Sequence, residues 1–356
     1  MSAHDGLPSY PLASGELSRL VRDSLLRGPV TGVEVRELER GRSWTRPGVA
    51  LGPTSDVALC VGSFDGFHRG HRLLVTKTVN DARRHGALAA ALTFEPLPAQ
   101  FFGAAGGSHR LLSSEERVVA LLGAGLDAVI VLDFDDELAS TTYEDFVTRT
   151  LPRLMRVGAL HVGTNFRLGR GGAGTLDRLR DLGERHGITV TGHELLAADG
   201  VAVSSTRIRR LIHEGDVERA SRLLGRLPLV SGSVGHGRGE GARLGFPTAN
   251  VVVDPTRCLP REGVYAGVVV HGRRAWPAAV NVGKPPTFSS PDPAFLEAHL
   301  VGFSGDLYGD ALSVLFCRWL RASRRFGSLG ELERTVLGNV AWVRDNIGSA
   351  GVEVPT

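Results

Sequence analysis

The chain has 356 residues, 42% of them hydrophobic, which is enough for two domains of ordinary size that each bury a core. A formal net charge of +3 and a pI near 9.0 come from arginines that nearly as many acidic residues offset. A dedicated nucleic-acid surface is therefore not implied, and the positive excess suits small anions equally well. The chain start lacks a basic segment followed by an apolar one, and no run of about 18 apolar residues occurs, so we expect neither export nor membrane insertion.

The three cysteines are Cys60, Cys258 and Cys317, and they are widely spaced. This spacing fits neither a disulfide framework nor a zinc pattern. A reducing cytoplasm is the natural inference. The sequence implies no particular oligomeric state.

Residues 1–52 mix proline, glycine and arginine around one short amphipathic stretch, Leu17 to Leu26. No longer periodic pattern is present. We therefore predict a loosely ordered N-terminal extension and not a domain.

From Val57 onward, apolar runs typical of strands alternate with helical periodicity. Predicted strands lie at 57–61, 88–94, 128–132 and 159–162, and predicted helices at 73–84, 115–123 and 143–154. The alternation predicts an α/β domain over residues 53–226, with a parallel sheet and helices on both faces. Ligands of such sheets bind beyond the carboxyl ends of the strands.

The first strand is followed by a glycine turn and then by His68 and His71 at the start of a helix. Residues three apart at a helix start share one face, beside backbone N–H groups that have no intrahelical partner. Gly66 and Gly70 would let a ligand approach closely, so the pattern predicts a phosphate site. Alone, an H-x-x-H pair is more often a surface pair or two metal ligands, but the strand and helix around it favour phosphate.

Two later segments could complete a nucleotide site. Asn165 follows the strand at 159–162 and would lie at the same sheet edge, although a capping Asn in a glycine-rich turn is an equally simple interpretation. Ser205, Thr206 and Arg207 precede a helix, and hydroxyls followed by arginine there make an anion clamp. An ordinary helix cap with a solvated basic face explains the same residues.

After residue 226 the pattern changes to short β-branched runs separated by glycine and proline. The runs lie at 229–234, 263–270, 278–282, 295–300 and 312–316. They predict a small β-barrel over residues 227–350, closed by a helix at 329–344.

Polar residues accompany two of these strands. Thr248 and Asn250 lie in a turn that begins Gly245-Phe-Pro247, and their oxygens could bind magnesium, although a polar loop closing a hairpin is the simpler interpretation. The period of two in the strand at 295–300 places Glu297 and His299 on one face. A carboxylate there could accept a proton from an attacking hydroxyl, while a surface Glu on an edge strand is the commoner case.

Together these segments resemble the bacterial bifunctional riboflavin kinase and FAD synthetase family, over roughly residues 55–347. The motifs that carry the resemblance occur in family order: Gly62-Ser-Phe-Asp-Gly-Phe-His-Arg-Gly-His71, Thr93-Phe-Glu-Pro-Leu-Pro98, Gly163 to Gly169, Ser204-Ser-Thr-Arg-Ile-Arg209, Gly245-Phe-Pro-Thr-Ala-Asn250, Asn281-Val-Gly-Lys-Pro-Pro-Thr287 and Leu307-Tyr308-Gly309. The resemblance implies a Rossmann-like nucleotidyltransferase domain that moves AMP from ATP to FMN. It also implies a six-stranded barrel with a terminal helix that phosphorylates riboflavin, and both reactions would use ATP and Mg²⁺.

The resemblance also implies site residues. His68 and His71 would stabilise the α-phosphate of ATP during attack by FMN, Glu297 would activate the 5′-hydroxyl of riboflavin, and Thr248 and Asn250 would bind magnesium. The nucleotide-binding positions would be Gly62, Phe64, Asp65, Gly70, Asn165, Ser205, Thr206, Arg207, Gly245 and Pro247.

The chain departs from the family motifs at Leu97, where histidine is usual, at Leu168, where an aromatic residue is usual, and at Pro285, where arginine is usual. These changes leave two alternatives open. The chain could be a specialised copy with one impaired activity or a preference for a riboflavin analogue. It could also be a flavin-binding regulatory protein whose N-terminal arginines contact nucleic acid, although acidic neighbours partly offset those arginines.

Overall fold

The computed structural model describes residues 8–13, 15–26, 31–103, 109–236, 246–283, 295–324 and 326–354. These residues form two compact units. The sheet unit comprises Leu26–Ser108 and Leu112–Ser204. The barrel unit comprises Met1–Leu25, His109–Leu111 and Ser205–Thr356.

The sheet unit is built on a mostly parallel sheet with the strand order β1-β2-β5-β4-β3-β6-β7. Its strands are β1 (Glu34–Leu38), β2 (Gly41–Thr45), β3 (Asp56–Val61), β4 (Leu88–Glu95), β5 (Ala128–Asp133), β6 (Arg156–Gly163) and β7 (Thr189–His193), and a two-stranded ribbon adds β8 (Ala197–Ala198) and β9 (Val201–Ala202). The central strands β3, β4 and β5 pair in parallel and are almost fully apolar, because the sheet is covered on both faces. The predicted α/β architecture is confirmed.

Helices connect these strands and bury apolar residues against both faces of the sheet. They are α2 (Arg69–His85), α3 (Pro98–Phe101), α4 (Ser114–Gly123), α5 (Asp136–Ser140), α6 (Tyr143–Asp145), α7 (Leu151–Leu154) and α8 (Leu176–His186). The helix predicted at 143–154 is divided, because a π-helical turn at Phe146–Thr150 separates α6 from α7. Pro152 accounts for the wider turn, since its ring would clash with the carbonyl four residues earlier in a regular α-helix.

The prediction of a loosely ordered extension is wrong for the described residues. Strands β1 and β2 form an antiparallel hairpin, and β2 extends the sheet by pairing with β5 from Arg42↔Val131 to Thr45↔Ala128. The apolar pattern missed this hairpin because Ser43 and Thr45, its buried residues, are polar.

The first part of the extension belongs to the barrel unit. Helix α1 (Glu16–Ser24) buries Leu17 and Val21 there. The Ser24 hydroxyl accepts a hydrogen bond from the Leu227 N–H at 3.2 Å, and the Ser18 hydroxyl donates to the Glu353 carbonyl at 2.9 Å. The two parts of the extension are therefore integral to different units.

The barrel unit contains six described strands that close in the order β12-β15-β10-β11-β14-β13 and back to β12. They are β10 (Leu229–Gly235), β11 (Ala249–Val252), β12 (Gly263–His271), β13 (Arg274–Gly283), β14 (Phe295–Leu300) and β15 (Ala311–Arg321). Helices α9 (Ser205–Glu214) and α10 (Val217–Leu224) precede the barrel, and α11 (Leu329–Asn346) and β16 (Val352–Glu353) follow it. The predicted six-stranded barrel with a terminal helix is confirmed.

Candidate active sites in the two units

The turn after β3 has an unusual backbone. Phe64 and Phe67 have positive φ angles of 48° and 37°, and Gly66 between them has a φ of 76°. Such values are uncommon for bulky residues, so surrounding contacts must hold the turn in place. Both phenylalanine rings are buried, and the Asp65 carboxylate, 1% exposed, accepts a hydrogen bond from the Leu112 N–H at 3.1 Å.

His68 caps helix α2. Its Nδ1 accepts a hydrogen bond from the His71 backbone N–H at 3.3 Å, and its ring stacks on the ring of His71 with 3.6 Å between centroids. Because Nδ1 is an acceptor, the proton of a neutral His68 lies on Nε2. Nε2 is therefore the hydrogen-bond donor of the ring at the N-cap of the helix.

His71 is held uncharged. Burial lowers its pKa well below the usual range for histidine, and the neighbouring His68 lowers it further. Its Nδ1 is buried without a hydrogen-bond partner in the described structure. A buried polar atom of this kind is uncommon in proteins and marks a place where a ligand could bind.

Glycine at positions 62 and 70 leaves room for neighbouring rings. A Cβ at Gly70 would lie 3.2 Å from the His68 ring, and one at Gly62 would lie 3.4 Å from the Phe64 ring. The close contact at Gly70 is tighter than ordinary van der Waals packing, so a side chain there would displace the imidazole. The role of Gly70 is thus to let the histidine pair pack closely at the helix start.

An apolar cavity of about 490 Å³ lies at the carboxyl edge of the same sheet. Its walls come from the ends of β4 and β5 and from the segment after β6. The lining residues are Phe94, Phe102, Phe134, Leu138, Ala139, Thr141, Phe146, Leu168, Gly169, Arg170, Gly171 and Gly172. The sequence analysis did not predict this cavity. Phe94 and Phe134, which lie at the ends of β4 and β5, indicate an apolar site at this edge of the sheet. Leu168 lines the cavity, and the side chains of Leu168 and Leu97 are both buried.

The remaining predicted nucleotide residues are divided between the units. Asn165 is exposed in the turn after β6, at the carboxyl edge, and its Oδ1 would lie 3.2 Å from a Cβ at Gly163. Ser205, Thr206 and Arg207 begin α9 in the barrel unit, where the Thr206 hydroxyl accepts a hydrogen bond from Arg209 at 3.3 Å.

In the barrel, three polar residues form one row across neighbouring strands. Asn250 of β11 and Asn281 of β13 are both register partners of Glu297 in β14. The Asn281 amide donates to the Glu297 carboxylate at 3.5 Å. Leu296, Ala298 and Leu300 are buried, whereas Glu297 and His299 are partly exposed, which agrees with the period of two that places these two polar residues on one face.

The turn that carries Thr248 is anchored to the same strand. The Pro247 carbonyl accepts a hydrogen bond from His299 Nδ1 at 2.9 Å, and His299 lies two residues from Glu297. Pro247 is exposed and Thr248 is partly buried. Gly245 lies outside the described residues.

The described residues contain no group of three or more His, Cys, Asp or Glu side chains able to hold a metal ion. The row in the barrel instead offers one carboxylate and amide oxygens, with the Thr248 hydroxyl nearby in sequence. Mg²⁺ is commonly bound through one or two carboxylates together with substrate phosphates, so this donor set fits a magnesium–nucleotide complex.

Comparison with known proteins matches both units to enzyme families. A family model described as FAD synthetase matches residues 52–207, and one described as riboflavin kinase matches residues 224–347. A bifunctional riboflavin kinase/FMN adenylyltransferase of Pseudomonas fluorescens is 37% identical over 284 residues, which cover 80% of this chain and 91% of that protein. The protein of the same description from Escherichia coli K12 is 33% identical over 83% of this chain and 94% of its own length.

A solved structure is also similar. A Streptococcus pneumoniae protein described as a macrolide-efflux protein shares 28% sequence identity with a TM-score of 0.75, over 83% of this chain and 96% of its own. Within the described part of this chain, no helix has the length and apolar character needed to cross a membrane.

Proposed function

Since this chain belongs to the family of bifunctional riboflavin kinases/FMN adenylyltransferases, we propose that the residues described above carry out its two reactions. The chain phosphorylates riboflavin to FMN with ATP and then adenylylates FMN to FAD. We assign adenylyl transfer to residues 53–226 and the kinase reaction to residues 227–350. Helices α9 and α10 lie at the end of the first of these segments in sequence, although they are part of the barrel unit.

Adenylyl transfer takes place at the turn after β3. An oxygen of the FMN phosphate attacks the α-phosphorus of ATP, the bond from that phosphorus to the β-phosphate oxygen breaks, and pyrophosphate leaves. His68 donates its Nε2–H in a hydrogen bond to the α-phosphate. The imidazole of His71 stacks on the ring of His68 and, because it is neutral, adds no charge beside the phosphate. The N-terminus of α2 contributes its backbone N–H groups and the positive end of the helix dipole.

The apolar cavity binds the flavin ring of FMN. Its volume lies in the range of small-molecule sites, and three of its phenylalanines offer aromatic faces and edges to a planar ring. Arg170 also lines the cavity, and its guanidinium can form hydrogen bonds with the FMN phosphate. The observation that carries this assignment is that the cavity and the histidine turn share the carboxyl edge of one sheet.

The kinase reaction takes place beside the row of Asn250, Glu297 and Asn281. The 5′-oxygen of riboflavin attacks the γ-phosphorus of ATP, its proton passes to the Glu297 carboxylate, and ADP leaves. Asn281 orients that carboxylate through its amide hydrogen bond.

Thr248 and Asn250 would hold Mg²⁺ together with the ATP phosphates, and the ion would supply positive charge that neutralises those phosphates. Gly245 and Pro247 would shape the turn that presents these two residues. Asn165, at the carboxyl edge of the sheet, would contact the nucleotide of the adenylyl-transfer reaction. From the sequence, Ser205, Thr206 and Arg207 are also predicted to bind it.

The test is a chromatographic time course from riboflavin and from FMN, each with ATP and Mg²⁺. Wild-type protein should convert riboflavin through FMN to FAD. Glu297→Gln should lower FMN formation by roughly 10²–10⁴-fold while FAD still forms from added FMN. His68→Asn should lower FAD formation by about 10²–10³-fold while FMN still accumulates from riboflavin.

Matched controls are available in each unit. His85→Asn removes an exposed histidine from the far end of the same helix α2, and Glu353→Gln removes an exposed carboxylate from β16. Both variants should retain both activities. Loss of FMN formation in the His68 variant, or of FAD formation from FMN in the Glu297 variant, would show that the roles are assigned to the wrong residues.

We also assign the chain to the cytoplasm. Its cysteines Cys60, Cys258 and Cys317 are free thiols in buried positions, which suits a reducing compartment. Cell fractionation with an activity assay tests this assignment, and activity outside the cytoplasmic fraction would contradict it.

A further inference from the structure

Arg117 is a charged residue in the interior of the sheet unit. It lies in helix α4, and its side chain is fully buried, with 0% exposed. Burial of a guanidinium carries a desolvation penalty of several kcal/mol, so the side chain must be compensated by good hydrogen bonds. Neither proposed reaction uses this residue directly.

The guanidinium joins the carboxyl ends of two neighbouring strands. Nη1 donates to the Ser63 carbonyl at 3.1 Å and to the Thr93 hydroxyl at 3.2 Å, and both terminal nitrogens donate to the Phe94 carbonyl at 3.1 Å. Nη2 also pairs with the Glu95 carboxylate. Ser63 follows β3, whereas the other three partners end β4.

These contacts hold a backbone that is unfavourable by itself. The Ser63 carbonyl opens the turn in which Phe64 and Phe67 have positive φ angles, a conformation that is unfavourable for bulky residues. The Thr93 hydroxyl donates to the same carbonyl at 3.2 Å. A turn held in such a conformation needs contacts that over-determine it, and Arg117 supplies one of them through the Ser63 carbonyl.

Hydrogen bonds at the N-terminus of helix α4 fix the first turn of the helix, which carries Arg117. Ser113 caps the helix by accepting from the Glu116 N–H at 3.1 Å, and the Glu116 carboxylate accepts from the Ser113 N–H at 2.8 Å. The residue before the cap, Leu112, donates to Asp65 in the histidine turn. The start of α4 and the turn are thus joined both by Arg117 and by Asp65.

The same guanidinium is connected to the apolar cavity through Phe94, whose carbonyl accepts its hydrogen bonds and which contributes to the cavity wall. We propose that Arg117 is a positioning residue for adenylyl transfer, which sets the distance between the turn that binds the ATP α-phosphate and the cavity that binds FMN. This inference rests on the proposed function of that turn and cavity. In-line attack needs the FMN phosphate and the α-phosphorus to be aligned, and a misplacement of about 1 Å can cost 10²-fold in rate.

Arg117→Lys and Arg117→Met test the inference. Lysine keeps the charge but cannot donate from one planar fork to Ser63, Phe94 and Glu95 together. We expect kcat for FAD formation to fall roughly 10- to 100-fold in both variants, with KM for ATP and for FMN each raised several-fold. The rate of FMN formation from riboflavin should stay at the wild-type value, since that reaction belongs to the barrel unit.

The KM values separate positioning from a loss of folded protein. Fewer folded molecules would lower the apparent kcat but would leave both KM values unchanged. Addition of guanidinium ion at low millimolar concentration to Arg117→Ala should restore part of the FAD-forming rate, and the exposed-arginine variant Arg84→Ala should show neither a defect nor rescue.

Near wild-type kcat and KM for FAD formation in folded Arg117→Lys and Arg117→Met would overturn the inference. So would a fall in kcat with both KM values unchanged. If the Met variant fails to fold, the Lys variant decides alone. Failure of the proposed assignment of the histidine turn is distinguishable, because His68→Asn would then form FAD at close to the wild-type rate.

Discussion

Gly41 offers a direct test of whether the N-terminal hairpin is an integral part of the sheet. Its φ is +115°, and a Cβ built there would lie 2.1 Å from the Val131 carbonyl oxygen and 2.9 Å from the Leu132 Cα. Both are backbone atoms of β5 and cannot rotate away. In Gly41→Ala, the hairpin must therefore move away from β5. Gly48 is the matched control, since its φ is +74° and nothing lies within 4 Å of its Cβ position.

The two substitutions should differ in magnitude. Alanine in a left-handed conformation costs about 1 kcal/mol, which is the whole penalty at Gly48. At Gly41 the hairpin must also shift by roughly 1 Å to reach an allowed contact. Such a shift weakens the nearest β2–β5 hydrogen bonds, each worth about 1 kcal/mol net. We expect Gly41→Ala to lower the free energy of unfolding of the sheet unit by about 3 kcal/mol.

Trp44 is a convenient probe, because it lies in β2 and packs against the sheet core, whereas the other three tryptophans are in the barrel unit. Fluorine NMR of 5-fluorotryptophan-labelled protein in a urea series would report the unfolding of β2, with the Trp44 resonance assigned from Trp44→Phe. Equal losses for the Gly41 and Gly48 variants, within about 0.5 kcal/mol, would refute the reasoning that β5 constrains the hairpin.

Three further predictions concern other parts of the chain. Burial raises the pKa of Asp127, but hydrogen bonds from Arg83 and a backbone N–H outweigh it, so the folded pKa is lowered and the pair stabilises the fold above about pH 4. Urea titrations should show Asp127→Asn destabilised at pH 7, with the difference from wild type shrinking as the pH falls below about 4; a constant difference would contradict this. Val21→Ala should lower the free energy of unfolding of the barrel unit by about 2 kcal/mol, because Val21 is fully buried. Arg19→Ala on the exposed face of the same helix should leave that free energy unchanged. His299→Ala should raise KM for ATP in FMN formation roughly three- to tenfold by freeing the Pro247 carbonyl, while FAD formation from FMN stays unchanged; an unaltered KM would exclude His299 as a support of that turn.

Several features of the site follow from local sequence patterns. The apolar run before Gly62 and the helical period after His71 predict a strand, a turn and a helix, and the structure has all three at those places. The alternation Leu296-Glu297-Ala298 predicts which way the Glu297 side chain points, because the pleat of a strand has a period of two. Both arguments need only residues that are close together in the chain.

Other features depend on residues distant in the sequence. Asn281 meets Glu297 only because β13 and β14 pair in one register. In the sequence Arg117 has the pattern of an ordinary charged helix position, and its role depends on the hydrogen bonds to Ser63 and Phe94, which are distant in the chain. The hairpin of the extension likewise buries Ser43 and Thr45, polar residues whose burial becomes favourable only beside β5.

The sequence by itself therefore determined the alternation of central strands and helices, the histidine turn and the face of Glu297, because helical and strand periods are local properties of the chain. The tertiary structure alone decided the flavin-sized cavity, the burial of Arg117 and the attachment of the extension to both units. Those features arise from packing between segments far apart in the chain, where the free energy of burial and of hydrogen bonding depends on which partners meet.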